Sequence, residues 1–371
     1  MPYCKKCIMP NQYPGVVLNK EGICNLCLNF QSPEPLGEKE LVQLINSIKR
    51  DSKYDCVVPL SGGKDSTFIL YYVKKNLNLN PVAVNYDSGM QSEIAMQNQR
   101  NACKILNVPL IIRKADIKIQ KRKVKAMLKV GERLNQFVLG CGGCVPILQT
   151  VTVGYAENNN IPIVFDGGSI TEHDPDVEEK KLSKFSQLII GRLLVLLGKK
   201  SRKRKLPTLF QSIFGWKPFN LVKYIELFKY FLYNTKLNNQ MKLGNYQLPP
   251  FGYRKHFNNG KVTIIRFSEY IEWPENEVVN LLKKELKWDH PPGQDKRFDC
   301  LLHCLVEHSS LQNNGISGNG VKYANLVRSG LLSRDEAIYK ENVVRNNLTK
   351  ELNHLAQVVN LKKFKIPKIS K

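Results

Sequence analysis

The sequence predicts an α/β protein built on a doubly wound parallel sheet, with an N-terminal Cys4 segment and a basic helical insertion. Three observations predict it. The run Asp55-Cys56-Val57-Val58-Pro59-Leu60 reads as a short buried strand that stops at Ser61, passes through Gly62 and Gly63, and continues into the helical run Ser66–Val73. Strand-like runs then alternate with helical ones as far as Asp166, and such alternation needs parallel strands joined by crossover helices. Finally, residues 180–244 interrupt that rhythm with a concentration of positive charge.

Residues 1–30 hold Cys4-x2-Cys7 and Cys24-x2-Cys27, with sixteen residues between the pairs. Each pair makes a tight turn that aims two thiolates at one ion. Two such turns close a tetrahedral zinc site with no position left for water, a zinc-ribbon-like site whose role is structural. Pro33-Glu34-Pro35-Leu36-Gly37 reads as a linker, and 38–50 as an amphipathic helix with Leu41, Leu44, Ile45 and Ile48 on one face.

The strand, glycine turn and helix at 55–73 are built to hold an anion. Amides at a helix N-terminus point outward at the positive end of the macrodipole, and glycines let a phosphate come close. Lys64 and the hydroxyls of Ser61, Ser66 and Thr67 add charge and donors. The pattern G-x-x-x-x-G-K-[ST] cannot be laid over these residues, so the turn is not a Walker A loop. A second strand follows at Asn80–Gly89, ending in Asp87 and Gly89, then a helix at Glu93–Leu106 and a third strand at Pro109–Ile112.

Ile161–Ser169 is a further strand that runs through Asp166 into Gly167 and Gly168, followed by Glu172, His173, Asp174 and Asp176. Ligands of a doubly wound sheet sit beyond the strand C-termini. That edge therefore collects Ser61–Ser66, Asp87 and Asp166. Acids facing an anion cradle suit Mg²⁺, which takes one or two carboxylates plus phosphate oxygens.

The chain of 371 residues carries a formal charge of +24. Lys180 through Lys242 contain fifteen Lys or Arg and one acid, Glu226, and so supply +14 of it. This stretch combines the apolar run Leu188–Leu197, the basic run Lys199–Lys205 and the aromatic run Phe219–Tyr233. A helix pair lying on anionic lipid headgroups is the leading reading, nucleic-acid phosphate the rival, and a solvated charge run beside a buried hairpin the third. The sheet pattern resumes at Lys261–Arg266, a helix covers 275–287 after Pro274, and the polar stretch Trp288–Cys304 reads as a loop and helix start facing a site. A helix from Ser333 and a basic tail end the chain. Ten cysteines without a secretory leader favour thiols or metal ligands in a reducing cytoplasm, with Cys56 and Cys103 in the core. No apolar run reaches the ~18 residues of a membrane span.

Ser61-Gly62-Gly63-Lys64-Asp65-Ser66 resembles the SGGxDS pyrophosphate loop of the PP-loop ATP pyrophosphatases, a superfamily that activates a carbonyl oxygen by adenylation. The resemblance implies an adenine nucleotide alpha hydrolase-like fold with ATP and Mg²⁺ as cofactors. It implies nucleotide binding by Ser61, Gly62, Gly63, Lys64, Asp65, Ser66, Asp87 and Gly167, and catalytic roles for Lys64, Asp65 and Asp166. Cys141-Gly142-Gly143-Cys144 is a further metal-type pair whose late partners are Cys300 and Cys304. A [4Fe–4S] cluster on Cys141, Cys144 and Cys304 resembles the sulfur-inserting members; a second zinc or reduced thiols are the alternatives.

The fuller resemblance is to the N-acetyl sugar amidotransferase family of this superfamily, which serves surface-polysaccharide (LPS O-antigen) and sialic-acid-like sugar biosynthesis. It is carried by Met1–Cys27 around Ile8-Met9-Pro10, Ser61–Ser66, Asp87 to Gly89, Cys141–Cys144, Trp288–Cys304 and Val327–Ala337. It implies that ATP adenylates the acetamido oxygen of an N-acetylated nucleotide-sugar and that ammonia replaces it to give an acetamidino group. Loss of Met1 would expose Pro2 rather than a nucleophilic cysteine, so ammonia is expected from a separate glutaminase subunit with a cyclase-like channelling partner. The rival is a tRNA thiolase of the 2-thiouridine or 2-thiocytidine type using Cys141 and Cys144. The charge concentrated in 180–244 argues against nucleic acid as partner and for peripheral contact with the inner face of the cytoplasmic membrane by a cytoplasmic protein. Four parts are expected: the zinc segment 1–35, the first part of the ATP-binding domain 36–179, the insertion 180–244, and the remainder of that domain with C-terminal helices at 245–371.

Overall fold

β1 (Cys56–Pro59) is the middle strand of a five-stranded sheet, flanked by β2 (Pro81–Asp87) and β4 (Ile163–Asp166). A computed structural model describes residues 2–32, 34–137, 145–168, 221–240, 242–243, 246–247, 262–291 and 298–369. Cys141–Cys144, the acids Glu172–Asp176 and residues 180–220 lie outside the described residues.

The strand order is β3-β2-β1-β4-β7, where β3 is Leu110–Lys114 and β7 is Thr263–Arg266, and every pairing is parallel. The chain steps outward from β1 to β3, then returns to place β4 on the other side of β1. The direction of winding therefore switches between β1 and β4, and the space beyond the C-terminal ends of these two strands is where a doubly wound sheet takes its ligand.

Successive side chains of β1 point to opposite faces. Cys56 and Val58 enter one core with α2 (Glu38–Ile48), α3 (Lys64–Lys75), α4 (Glu93–Leu106) and α8 (Glu275–Leu286). Val57 enters the other, with α6 (Val145–Asn158) and Leu237 of α7 (Leu221–Gln240). Both faces are covered, as a parallel sheet requires.

Local chemistry sets the helix boundaries. Ser92 accepts the Ala95 amide and opens α4, and Asn107 in the left-handed region closes it. The Asp116 carboxylate accepts the Lys118 and Ile119 amides and opens α5 (Ile117–Leu134). Ser333 and Glu336 form a capping box at the start of α11 (Arg334–Val358). The helix expected over 38–50 ends at Ile48, and that expected over 275–287 ends at Leu286. Leu36 and Gly37 of the linker donate to the carbonyls of Glu269 and Tyr270, which ties it to the chain just after β7.

Of the basic helical insertion expected over 180–244, residues 221–240 and 242–243 are described. α7 is a helix, but Lys242–Leu243 (β5) and Tyr246–Gln247 (β6) pair as an antiparallel ladder. Gly244-Asn245 between them is a two-residue hairpin signal.

Two further cores involve the C-terminal helices α9 (His303–Asn314), α10 (Gly318–Arg328) and α11. α9 and α11 pack with α5 through Leu128, Phe137, Leu305 and Leu352. α10 and α11 cover the Cys4 segment through Val321, Ala324, Ala337 and Val344. Among the described residues no helix is long and apolar enough to cross a membrane.

Leu282 is fully buried where α8 meets α3 and α4. Leu282→Ala should cost about 2–5 kcal/mol, read as a lowered urea midpoint with an unchanged slope.

Candidate active site and metal centre

The glycine turn after β1 is held from behind by side chains. Gln99 Nε2 donates to the Ser61 carbonyl at 2.8 Å. Asn98 Nδ2 and Trp288 Nε1 donate to the Gly62 carbonyl at 3.2 and 3.0 Å. A trans peptide puts its C=O and the following N–H on opposite sides. Turning both carbonyls inward therefore turns the Gly62 and Gly63 amides away from α4, the second of them onto Ser61 Oγ.

Gly62 lies at φ +85°, and a Cβ there would come within 2.1 Å of the Ala95 carbonyl oxygen. Only glycine lets the loop rest this closely on α4. α3 begins immediately afterwards with no side-chain cap on its first amides. Ser66 Oγ accepts the Ser61 amide at 3.2 Å, and Ser61 Oγ accepts the Gly63 amide at 3.3 Å, so the two serines brace the turn. The result is an electropositive concavity that suits a phosphate.

Lys64 Nζ lies 2.8 Å from Asp65 Oδ1, which also accepts from Trp273 Nε1 at 3.1 Å. Trp273 thus fixes the carboxylate, and the ammonium at the mouth of the turn is paired with it. Asp87, at the end of β2, accepts the Gly89 amide at 2.8 Å. Asp166, at the end of β4, accepts the Gly168 amide at 3.1 Å. Gly167 follows it, and a Cβ there would touch Ile69 of α3 at 3.5 Å. The parallel sheet brings Ser61–Ser66, Asp87, Asp166 and Gly167 to one edge.

Residues 298–304 close over the same edge. The Asp299 carboxylate would lie 3.7 Å from a Cβ on Gly63, and His303 Nε2 stands 3.4 Å from Asp299 Oδ1. Cys300 bridges to Gln91, and the Leu301 amide donates to the Met90 carbonyl. Cys300 is half-buried at this rim. Cys304 is buried among the helices, its thiol donating to the Leu301 carbonyl at 3.2 Å.

Sequence reasoning did not single out Asn98, Gln99 or Trp273, and it placed Asp299 and His303 within the stretch facing a site without pairing them. Asn98 and Gln99 are only 1% exposed although they sit within a polar-looking helix. Gln99 also accepts from Asn85 of β2 at 3.0 Å, and Asn85 and Gln91 exchange hydrogen bonds at 3.0 Å. A buried amide chain thus runs from the sheet to the loop. Two adjacent amides in a helix facing a glycine turn were the available signal.

The second centre is the Cys4 segment. The sulfurs of Cys4, Cys7, Cys24 and Cys27 all lie within 4.8 Å of one another and are buried. Cys4–Cys27 and Cys7–Cys24 are 3.8 and 3.7 Å apart. Zn–S bonds of ≈ 2.3 Å give a tetrahedral edge of about 3.8 Å, so the spacing suits one ion held by four thiolates. The Cys7 and Cys24 amides donate to Cys4 Sγ, and Arg328 of α10 donates to Cys7 Sγ at 3.3 Å. These donors stabilise negative sulfur. Hydrogen bonds from Cys27 and Cys7 drive Cys24 toward the thiolate, whereas Cys7 and Cys27 are raised by their bonds to Cys24. A cation bound among the four sulfurs would displace the protons that Cys7 and Cys27 retain. Burial raises Cys56, and raises Cys103 to about 12, which leaves both as inert core thiols.

No family model matches the chain. It is 32% identical over 119 residues to an uncharacterized protein of Methanocaldococcus jannaschii, a match spanning 30% of this chain and 43% of that one. The chain thus spans less than half the length of the curated relative it matches. Among solved structures it is similar to the U34-tRNA thiolase NcsA from Methanococcus maripaludis with its [4Fe-4S] cluster, with a TM-score of 0.33 and 13% identity over 100% of this chain and 92% of that one. It is also similar to the NH3-dependent NAD synthetase from Campylobacter jejuni, at a TM-score of 0.27 and 16% identity over 56% and 96%. NMN synthetase from Francisella tularensis gives 0.28 and 16% over 58% and 100%. At scores of this size the likeness is partial, and the fold rests on the chain's own sheet.

Gly62→Ala should force the turn off α4 and lower stability by about 1–3 kcal/mol, seen in the urea midpoint. A stable protein with an unchanged midpoint would show that the close approach to Ala95 is not required. Elemental analysis should find one zinc per chain at the Cys4 segment. Stripping it with a chelator should lower the melting temperature, and adding Zn²⁺ should restore it, whereas Cys7→Ser should abolish the response.

Proposed function

We propose that the chain is an ATP-dependent adenylating enzyme of the PP-loop pyrophosphatase type. The observation that carries the reading is the Ser61–Ser66 turn at the switch point of the sheet, whose carbonyls are clamped inward so that its amides turn away from α4. An acceptor oxygen attacks the α-phosphorus of ATP, and pyrophosphate departs into the turn. A nucleophile then attacks the activated carbon, and AMP leaves with the acceptor's oxygen. The outward amides and Lys64 meet the charge that develops on the departing pyrophosphate. Asp166 and Asp87 would hold Mg²⁺, which supplies charge neutralisation at the phosphates. Asp65, fixed by Trp273, orients Lys64 until phosphate draws the ammonium away.

Two acceptors fit this chemistry. The resemblance along Met1–Cys27, Ser61–Ser66 and Trp288–Cys304 supports an N-acetylated nucleotide-sugar with ammonia as nucleophile, giving an acetamidino product. The position of Cys300 favours the second reading, a tRNA thiolase. It puts a sulfur at the rim beside Asp299 and the loop, where a sulfur-inserting enzyme would need one. The buried Cys4 centre is a structural zinc in either case.

Incubation with ATP and an N-acetylated UDP-sugar plus ammonium should release AMP and a product lighter by about one mass unit, since NH replaces O at an O-adenylyl imidate. AMP release only with tRNA and a sulfur source would assign the thiolase instead. Lys64→Ala should lower AMP formation by about 10²–10³-fold in the productive assay, the scale of one lost oxyanion-type donor. Unchanged AMP formation in that variant would overturn the adenylating role of the turn.

A further inference from the structure

We propose that α5 and α7 together form a docking face for an anionic membrane surface. The face has two adjoining rows. On α7, Ile225, Lys229, Leu232, Tyr233 and Lys236 are all exposed. At 100° per residue they fall within one arc of about 100°, and they run along ~16 Å of helix. Ile225, Leu232 and Tyr233 are 45, 53 and 39% exposed. The flank of the helix beyond Tyr233 is packed, with Tyr230 and Leu237 buried. A solvated helix face is normally polar. This one alternates aliphatic, tyrosyl and lysyl side chains.

On α5, Arg122, Lys125, Lys129 and Arg133 follow at one-turn spacing along the groove of about 340 Å³ between the two helices. Glu226 on the groove accepts from Arg133 and Lys229 at 2.9 and 3.1 Å. Lys125 Nζ donates to the Asn360 carbonyl at 3.1 Å. Six cations against one carboxylate leave the combined face strongly positive.

The pairing of the two rows selects the partner. Phosphate alone would be met by the α5 row, and it gives Ile225 and Leu232 nothing to do. A bilayer surface uses both. Anionic headgroups meet the cations, the aliphatic groups enter the acyl boundary, Tyr233 sits at the level of the headgroups, and the lysine stems lie along the apolar surface.

The full chain should sediment with phosphatidylglycerol vesicles and not with neutral phosphatidylcholine vesicles, and the binding should weaken as salt is raised. Leu232→Asp, and separately Arg122→Glu with Lys129→Glu, should each weaken it roughly tenfold or more while leaving circular dichroism and melting temperature unchanged. All three positions are exposed surface, so folding is not at stake. Equal binding to neutral vesicles, or parent-like binding by both variants, would overturn the proposal. So would tight binding of single-stranded RNA, unaffected by Leu232→Asp, in a protein that ignores vesicles, because the cations would then serve a phosphodiester backbone.

Discussion

The candidate site depends on the orientation of two peptide units. Were the carbonyls of Ser61 and Gly62 to face outward, the same six residues would repel an anion; facing inward, they turn the amides away from α4. Gln99, Asn98 and Trp288 hold that orientation from three directions, and Asn98 also bonds both ways with Asp289. These donors come from α4 and from the segment after α8, so the helices on one face of the sheet must pack before the turn is set. The buried cluster of Leu70, Leu106, Leu282 and Leu286 does that packing. Core and site are therefore coupled through the same helices.

Polar burial in this region is costly unless every group is paired. The chain meets the requirement with a run of carboxamides from Asn85 through Gln91 and Gln99 to Ser61. Amides of this kind carry no charge and do not compete with a phosphate for the loop. Charge is instead kept at the rim, where Lys64, Asp65, Asp87, Asp166, Asp299 and His303 stand at the C-terminal edge of the sheet. A neutral, rigid support beneath a charged, adjustable rim suits a ligand whose charge changes as bonds break.

The Cys4 segment stands apart from this edge yet is not isolated. Its sulfurs share a core with α10 and α11, and Arg328 reaches Cys7. α11 in turn packs on the cluster that includes Met90 and Leu302, next to the segment in which Cys300 bridges to Gln91. An ion among the four thiolates would stiffen the C-terminal helices that frame the rim. That gives a structural centre a route to the chemistry without placing it near the substrate.

Composition and spacing alone determined the α/β class, the parallel winding, the two C-x-x-C turns, and the turn at Ser61–Ser66, because each is a local pattern: a period, a cap or a fixed separation. Helix ends at Ser92, Pro274 and Ser333 were legible for the same reason. What only the tertiary structure decided are relations between distant residues. Asn98, Gln99, Trp273, Trp288 and Asp299 converge on the loop from separations of up to 236 positions, and no local period announces a hydrogen bond across them. Asn98 and Gln99 read as surface amides until burial against the loop turned them into its supports. Only in three dimensions is α7 laid beside the cationic row of α5, with Ile225 and Leu232 exposed. A side chain's chemistry is written in the sequence; which backbone dipole or neighbour it meets is set by packing.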